Sequence, residues 1–484
     1  MNGLLIILSI AVCGGIALMV PGNGPSAVLV CVPVALVCAA VLTQVRGHAQ
    51  FLLRLFIGGL LVRLLVGTLI FVTNNQSFFG TDAASYDFYG YLMVTMKDTD
   101  SYYRSVVSSF MGGGAGAAWG MVYLVAGIYS MVGRNTLATQ FFNATIGAVT
   151  APVIFLCAQH IYNNLRVARI AGFFVAFFPS LVLWSSQGLK DGPIVFLLSL
   201  SMLATLKLGE RFNVKYFLVL VGALFGILSL RFYIFYILLA AIAGAFVIGL
   251  RGFSARSFVR QFVVMIAIAL ALAYLGVTRY ASSQIENFDL QRVQQSRADL
   301  AQSAASGFGK ETDVSTASGA LTAIPVGMVY LLFAPFPWQL ASLRQSITMP
   351  EMVIWWFSFP ALVLGLWFTI KYYLRQASPI LIFSAMLTVA YSVFQGNVGT
   401  AYRQRSQLLV FYFIFAAVGF VLLKERHEDR RRKAELSGRL ADAQRRARAA
   451  TIGQPRQPSS QPEDPEPVNL WEDNEPSEQS RDES

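Results

Sequence analysis

The chain has 484 residues, 55% of them hydrophobic and only 13% charged, with a mean hydropathy of +0.56. A soluble domain carries about 25% charged residues, so the composition excludes an ordinary soluble enzyme and describes an integral membrane protein. The formal net charge of +11 averages unlike parts. Residues 424–456 are basic, residues 457–484 are acidic, and the rest of the excess lies at the ends of apolar runs. The positive-inside rule accounts for that placement more simply than nucleic-acid binding does.

Apolar runs recur from near residue 3 to residue 423, many of them reaching the ~20 residues a bilayer-crossing helix needs. In lipid every backbone polar group needs an internal partner, so these runs are helices. The expected fold class is all-α: a polytopic membrane helix bundle of about 12–14 apolar segments. The N-terminus lacks the basic flank of a signal peptide, so Met1 onward is expected to be retained. Residues 1–50 supply two helices ahead of a membrane domain spanning 51–423. Polar stretches at 74–111 and 279–321 form outer loops, the second expected to be a flexible surface loop. Residues 424–453 read as a basic cytoplasmic helix, and 454–484 as a disordered acidic tail too poor in apolar residues to fold.

Two places complicate the count. Pro325, Pro335 and Pro337 would interrupt a helix over 322–341, which predicts a re-entrant or interfacial segment there. Between 104 and 190, Arg166 and Arg169 favour the cytoplasm while simple alternation favours the opposite side. Either the Gly-rich stretch from Gly112 to Gly116 begins a segment that does not fully cross, which is the favoured expectation, or the two arginines break the charge rule. The N- and C-termini are expected to be cytoplasmic, in a bacterial-type inner membrane.

Chemistry must occur at the membrane face, because no phosphate-binding loop, zinc-protease, nucleophile-elbow or dinucleotide motif is present. Cys13, Cys31, Cys38 and Cys157 lie in apolar runs, and His48, His160 and His427 are scattered, so no metal-ligating set is visible. Asp82 follows a membrane helix, where a partly desolvated carboxylate suits a general base; a helix N-cap is the plainer reading. Tyr86 lies one helical turn on, and Asp87 is a second candidate acid. Lys190-Asp191, between two apolar runs, offers a phosphate-binding cation and another acid, or simply a helix-capping ion pair. Arg403 and Arg405 precede the last apolar run on the expected outer side, against the charge rule. Guanidinium forks bind phosphate bidentately, although snorkelling to headgroups would also place them there. Arg63 lies deep in an apolar run and must face protein or water.

A helix with an internal Arg63, followed by Gly80-x-Asp82-x-x-x-Tyr86, resembles the first helix and loop of GT-C-type glycosyltransferases. The stretch from Asn143 through Phe177-Phe178-Pro179-Ser180 to Asp191 is similar to later helices of the dolichyl-phosphate-mannose-mannosyltransferase-like and aminoarabinose-transferase-like members. The Arg403/Arg405 stretch fits their C-terminal pattern. The resemblance spans roughly residues 51–423, with short motifs. A Lys-Pro-Pro-like stretch is replaced by Met111-Gly112-Gly113-Gly114-Ala115. The resemblance implies an inverting transfer of a sugar from a polyprenyl phosphate to a hydroxyl acceptor, in cell-envelope polysaccharide, glycolipid or glycoprotein synthesis. It implies that Asp82, with Asp87 as the weaker candidate, is catalytic base or metal-assisting carboxylate, so a divalent cation is the one cofactor to look for. It assigns phosphate binding to Lys190 and Arg403. The rival readings are a polysaccharide polymerase or O-antigen-ligase-like enzyme, and a lipid-linked-sugar transporter or flippase.

Overall fold

The computed structural model describes residues 2–95, 118–248, 255–274, 289–302, 306–309, 311–340 and 342–452, with 101, 105, 106 and 277 besides. Among them there is no β-strand, only an isolated antiparallel bridge between Gly307 and Asn397. The chain is a multi-pass helical membrane protein. Among the described residues seven helices are long and apolar enough to cross a bilayer, or eight if one bent pair is a single span.

The helices in order are α1 (Asn2–Met19), α2 (Gly24–Thr43), α3 (Ala49–Val72), the short α4 (Gln76–Phe79), α5 (Asp82–Thr95), α6 (Trp119–Val132), α7 (Thr136–Tyr162), α8 (Leu165–Phe177) and α9 (Pro179–Ser185). They continue with α10 (Asp191–Glu210), α11 (Val214–Leu230), α12 (Phe232–Ile248), α13 (Ala255–Tyr274), α14 (Leu290–Gln302), α15 (Ala317–Phe333), α16 (Leu343–Tyr372), α17 (Leu374–Phe394) and α18 (Val398–Ile452). Contacts divide the chain into two units, Met1–Lys424 and Glu425–Ser484. The second unit is helical through Ile452, and the tail expected to be disordered lies outside the described residues.

The centre of the membrane unit is α7, which packs against α2, α3, α8 and α10. Its sequence explains the position. Ala144, Thr145, Gly147, Ala148, Thr150 and Ala151 are all buried, and small residues let membrane helices approach closely without a hydrophobic drive between them. A Cβ on Gly147 would overlap the Ser185 side chain, so this glycine is what admits the end of α9.

Helices α8 and α9 meet at a bend of 53°. Pro179 has no N–H, so the carbonyl of Val175 loses its helical donor. The guanidinium of Arg63, 1% exposed, supplies the replacement from α3. It donates to the Val175 carbonyl at 3.2 Å, the Ala176 carbonyl at 2.7 Å and Ser185 Oγ at 2.8 Å. The deep arginine of the sequence is therefore a cap on a broken helix.

Arg405 does the same elsewhere, which corrects its assignment as a phosphate ligand. It is fully buried and donates to the carbonyls of Leu332 at 3.0 Å and Ala334 at 3.2 Å, where Pro335 ends α15. Its ring neighbours are Tyr402 and Trp355. It lies two positions on from Arg403, roughly 200° around a helix of 3.6 residues per turn, so the two arginines face opposite ways.

Two expectations about the outer segments change. Pro325 does not interrupt the 322–341 region, because α15 runs through it from Ala317 to Phe333; membrane helices tolerate proline where neighbours satisfy the freed groups. The 279–321 loop is not structureless. Residues 290–302 are helical, Arg297 is buried and donates to the carbonyls of Gly309 and Thr312, and residues 306–308 pair with 396–398. The glycines at 112–116 lie outside the described residues. The helices flanking them, α5 and α6, have 14 residues each, about 21 Å at 1.5 Å per residue. That is short of the ~30 Å hydrocarbon core.

Candidate active site

Asp82 is the first residue of α5 and Asp191 the first of α10. Their helices start side by side for reasons local to the sequence. Asn143, fully buried on α7, donates to the carbonyls of Gln187 at 2.7 Å and Leu189 at 2.8 Å, which fixes the turn ahead of Lys190. The Leu189 side chain then fills the space a Cβ at Gly80 would need, with its nearest carbon at 2.9 Å. Gly80 thus lets the stretch before Asp82 lie directly on the stretch before Asp191.

Arg403, in the second turn of α18, joins the two acids. Its Nε donates to Asp191 Oδ2 at 2.7 Å. Its Nη2 lies 2.6 Å from Asp191 Oδ2 and 3.1 Å from Asp82 Oδ2. Arg231, at the junction of α11 and α12, stands 3.7 Å from the other Asp191 oxygen. The acids differ sharply in access: the Asp82 side chain is 42% exposed and that of Asp191 is 0% exposed. Asp191 is therefore an internal anchor held between two guanidiniums, and Asp82 is the acid a solute can meet.

Asp82 and Arg403 line a groove of about 470 Å³. Trp184, Thr400, Tyr402, Phe78 and Phe79 also line it, together with Arg344 and its neighbours in the first turns of α16. This volume lies within the range of small-ligand sites. Tyr86 and Lys190 do not line it. Tyr86 is buried, with the Lys190 ammonium 6.0 Å from its ring centre. Burial pushes the Tyr86 hydroxyl upward in pKa, and the Asp82 and Asp191 charges add to the rise. Burial, reinforced by Arg231, lowers the Lys190 ammonium to about 8 against the pull of Asp191 and Asp82.

Asp87 does not join the cluster. It is five residues from Asp82, roughly 140° round the helix. It accepts from the Tyr129 hydroxyl at 2.7 Å and pairs with Arg134 at 2.6 Å, which ties α5 to α6. Its geometry is that of a structural acid, which corrects the expectation that Asp87 is a second catalytic candidate beside Asp82. Among the described residues no three His, Cys, Asp or Glu side chains converge, and the two site acids share a guanidinium instead.

Residues 118–277 match the family model described as dolichyl-phosphate-mannose-protein mannosyltransferase. The resemblance to GT-C-type glycosyltransferases is borne out. The match carries Lys190, Asp191 and Arg231, while Asp82 and Arg403 fall outside it. No curated protein matches this chain. Among solved structures it is similar to the Archaeoglobus fulgidus oligosaccharyltransferase in complex with Zn and sulfate, at 16% identity and a TM-score of 0.35. That similarity covers 66% of this chain and 42% of the archaeal one, so the chain spans less than half of that protein.

Sequence reasoning missed three side chains of the site. Arg231 was visible as a lone charge between two apolar runs, which signals a buried partner, but nothing local named Asp191. Trp184 and Arg344 carried no signal, since only the folded groove gives them a common wall.

Proposed function

We propose that this protein is a membrane glycosyltransferase that moves a sugar from a polyprenyl-phosphate donor to a hydroxyl-bearing acceptor in the groove beside Asp82. The observation that carries the reading is the Asp82–Arg403–Asp191 cluster at the edge of an apolar bundle. An acceptor hydroxyl attacks the anomeric carbon and its proton passes to the Asp82 carboxylate. The bond from the anomeric carbon to phosphate oxygen breaks, and the polyprenyl phosphate leaves with the electron pair. Attack opposite the leaving group inverts the anomeric centre. Cationic side chains offset the phosphate charge as it develops, the larger electrostatic contribution; the base adds on the order of 10²–10⁴.

The groove face is the extracytoplasmic one in this reading. Helices α10 and α16 start at the groove and end near Lys207 and Lys371, and α17 runs from beside Arg375 back to the groove side. The basic loops thus gather at the far ends, as the positive-inside rule requires of cytoplasmic loops. The same argument puts Arg166 and Arg169 inside and Lys190 outside, with the bent α8–α9 pair as one crossing.

The test is transfer from a radiolabelled polyprenyl-phosphate sugar pool in liposomes carrying the full chain. Asp82→Asn and Arg403→Gln should each reduce product at least a hundredfold, the first with the melting temperature kept near wild type and the second with it lowered, since Arg403 also pairs with the buried Asp191. If Asp82→Asn transfers at the wild-type rate while Arg403→Gln does not transfer at all, the base is not Asp82 and the reading fails.

A further inference from the structure

The charges around the groove do not all point to the same phosphate ligand. Arg403 is already matched: Asp82, Asp191, Arg403 and Arg231 together sum to zero. Lys190 lies beneath Tyr86, away from the groove lining. The other guanidinium in that lining is Arg344, in the first turn of α16. It is exposed, and its guanidinium carbon stands 4.8 Å from the centre of the Phe78 ring. Among the described residues no carboxylate pairs with it.

The surroundings of Arg344 are mixed in a particular way. Leu343 and Ile347, which also line the groove, are 70% and 54% exposed. Gln345 and Thr348 lie on the same wall. A free cation among outward-facing aliphatic side chains suits an anion joined to a hydrocarbon chain. The anion takes the guanidinium fork, and the chain follows the aliphatic surface out toward lipid.

We propose that Arg344 grips the phosphate of the lipid-linked donor, leaving Arg403 to hold the two acids in place. This rests on the glycosyltransferase reading above and names a binding residue that neither the sequence motifs nor the family match supplies. Charge-assisted hydrogen bonds are the strong ones in proteins, so their loss is readable as affinity.

The experiment is binding of a fluorescent short-chain prenyl phosphate, and of the corresponding uncharged prenol, to the full chain in nanodiscs. Arg344→Gln should weaken the phosphate probe about tenfold or more and leave the prenol unchanged. In transfer assays the same variant should raise the donor KM far more than it lowers kcat. Phosphatidate added to the nanodisc should not displace the probe. The proposal is overturned if Arg344→Gln binds the phosphate probe as wild type does. Equal weakening of both probes overturns it too, since that marks a packing defect around Phe78. Displacement by phosphatidate overturns it in favour of a general headgroup site. A wild-type protein that binds no prenyl phosphate overturns the glycosyltransferase reading itself, whereas wild-type binding with an indifferent Arg344→Gln removes only this assignment.

Discussion

At the scale of single residues, the two acids that share Arg403 differ in access, Asp82 open to the groove and Asp191 sealed inside. Asp191 has its charge compensated by two guanidiniums in the interior, and removing one member of a buried pair costs about 3–5 kcal/mol. Asp191→Asn should therefore lower the yield and melting temperature of the purified protein, while Asp82→Asn, at a half-open carboxylate, should leave both near wild type. Fluorescence-detected thermal unfolding in detergent compares them directly. Lys190 gives a pH prediction. Its ammonium is lowered from 10.5 to about 8 in the folded protein. Below about pH 8 both folded and unfolded chains hold the proton, and burying it opposes folding. Between about 8 and 10.5 the unfolded chain holds a proton that the native state has released, so this lysine makes stability rise with pH across that window. Lys190→Met should flatten the rise, measured as the melting temperature at pH 7, 8 and 9. An unchanged slope would mean that Lys190 does not titrate there.

At the scale of elements, the sequence showed which segments are helices better than where they break. Prolines were the reason. Pro33, Pro152, Pro325 and Pro360 sit inside continuous helices, while Pro179 and Pro335 mark ends. What distinguishes the ends is a distant arginine that takes over the freed carbonyls, Arg63 for the first and Arg405 for the second. No local pattern announces such a partner, although Arg63 did stand out as a charge needing a protein environment. Replacing either arginine by methionine keeps the packing but strands carbonyls, at about 1–3 kcal/mol for each buried group left unpaired. Both Arg63→Met and Arg405→Met should reduce detergent-stable protein, read by size-exclusion recovery. Arg405→Met should do so without a donor-specific KM effect, unlike Arg344→Gln. Gly147→Val should be severe as well, because its added carbons would occupy the place of Ser185 and move the turn that carries Lys190 and Asp191.

At the scale of the whole molecule, the fold class was legible because apolar length alone forces helices in a bilayer. The site was partly legible. Asp82, Asp191 and Arg403, each singled out by the sequence, lie in one cluster, the last two across more than two hundred positions of sequence. Asp87 and Arg405 went elsewhere because a helix turns roughly 100° per residue, so closeness in sequence put them on other faces. The charged segment after Lys424 forms a separate unit by its contacts. A chain ending at Lys424 should keep the melting temperature and transfer rate of the full protein in reconstituted vesicles, and a loss of transfer would show that the tail contributes to the reaction.

The position of Arg403 near the start of the last helix has a bearing on biogenesis. Residues of the site are synthesised in the order 82, 191, 231, 344 and 403, so Asp191 is made long before its second cation. Until α18 inserts, the bundle holds an acid whose only described ion-pair partner is Arg231, at 3.7 Å. A growing chain thus carries, until then, an interior acid with one of its two guanidinium partners still to come. Insertion of the final helix brings Arg403 against both acids and supplies the last residues of the groove lining.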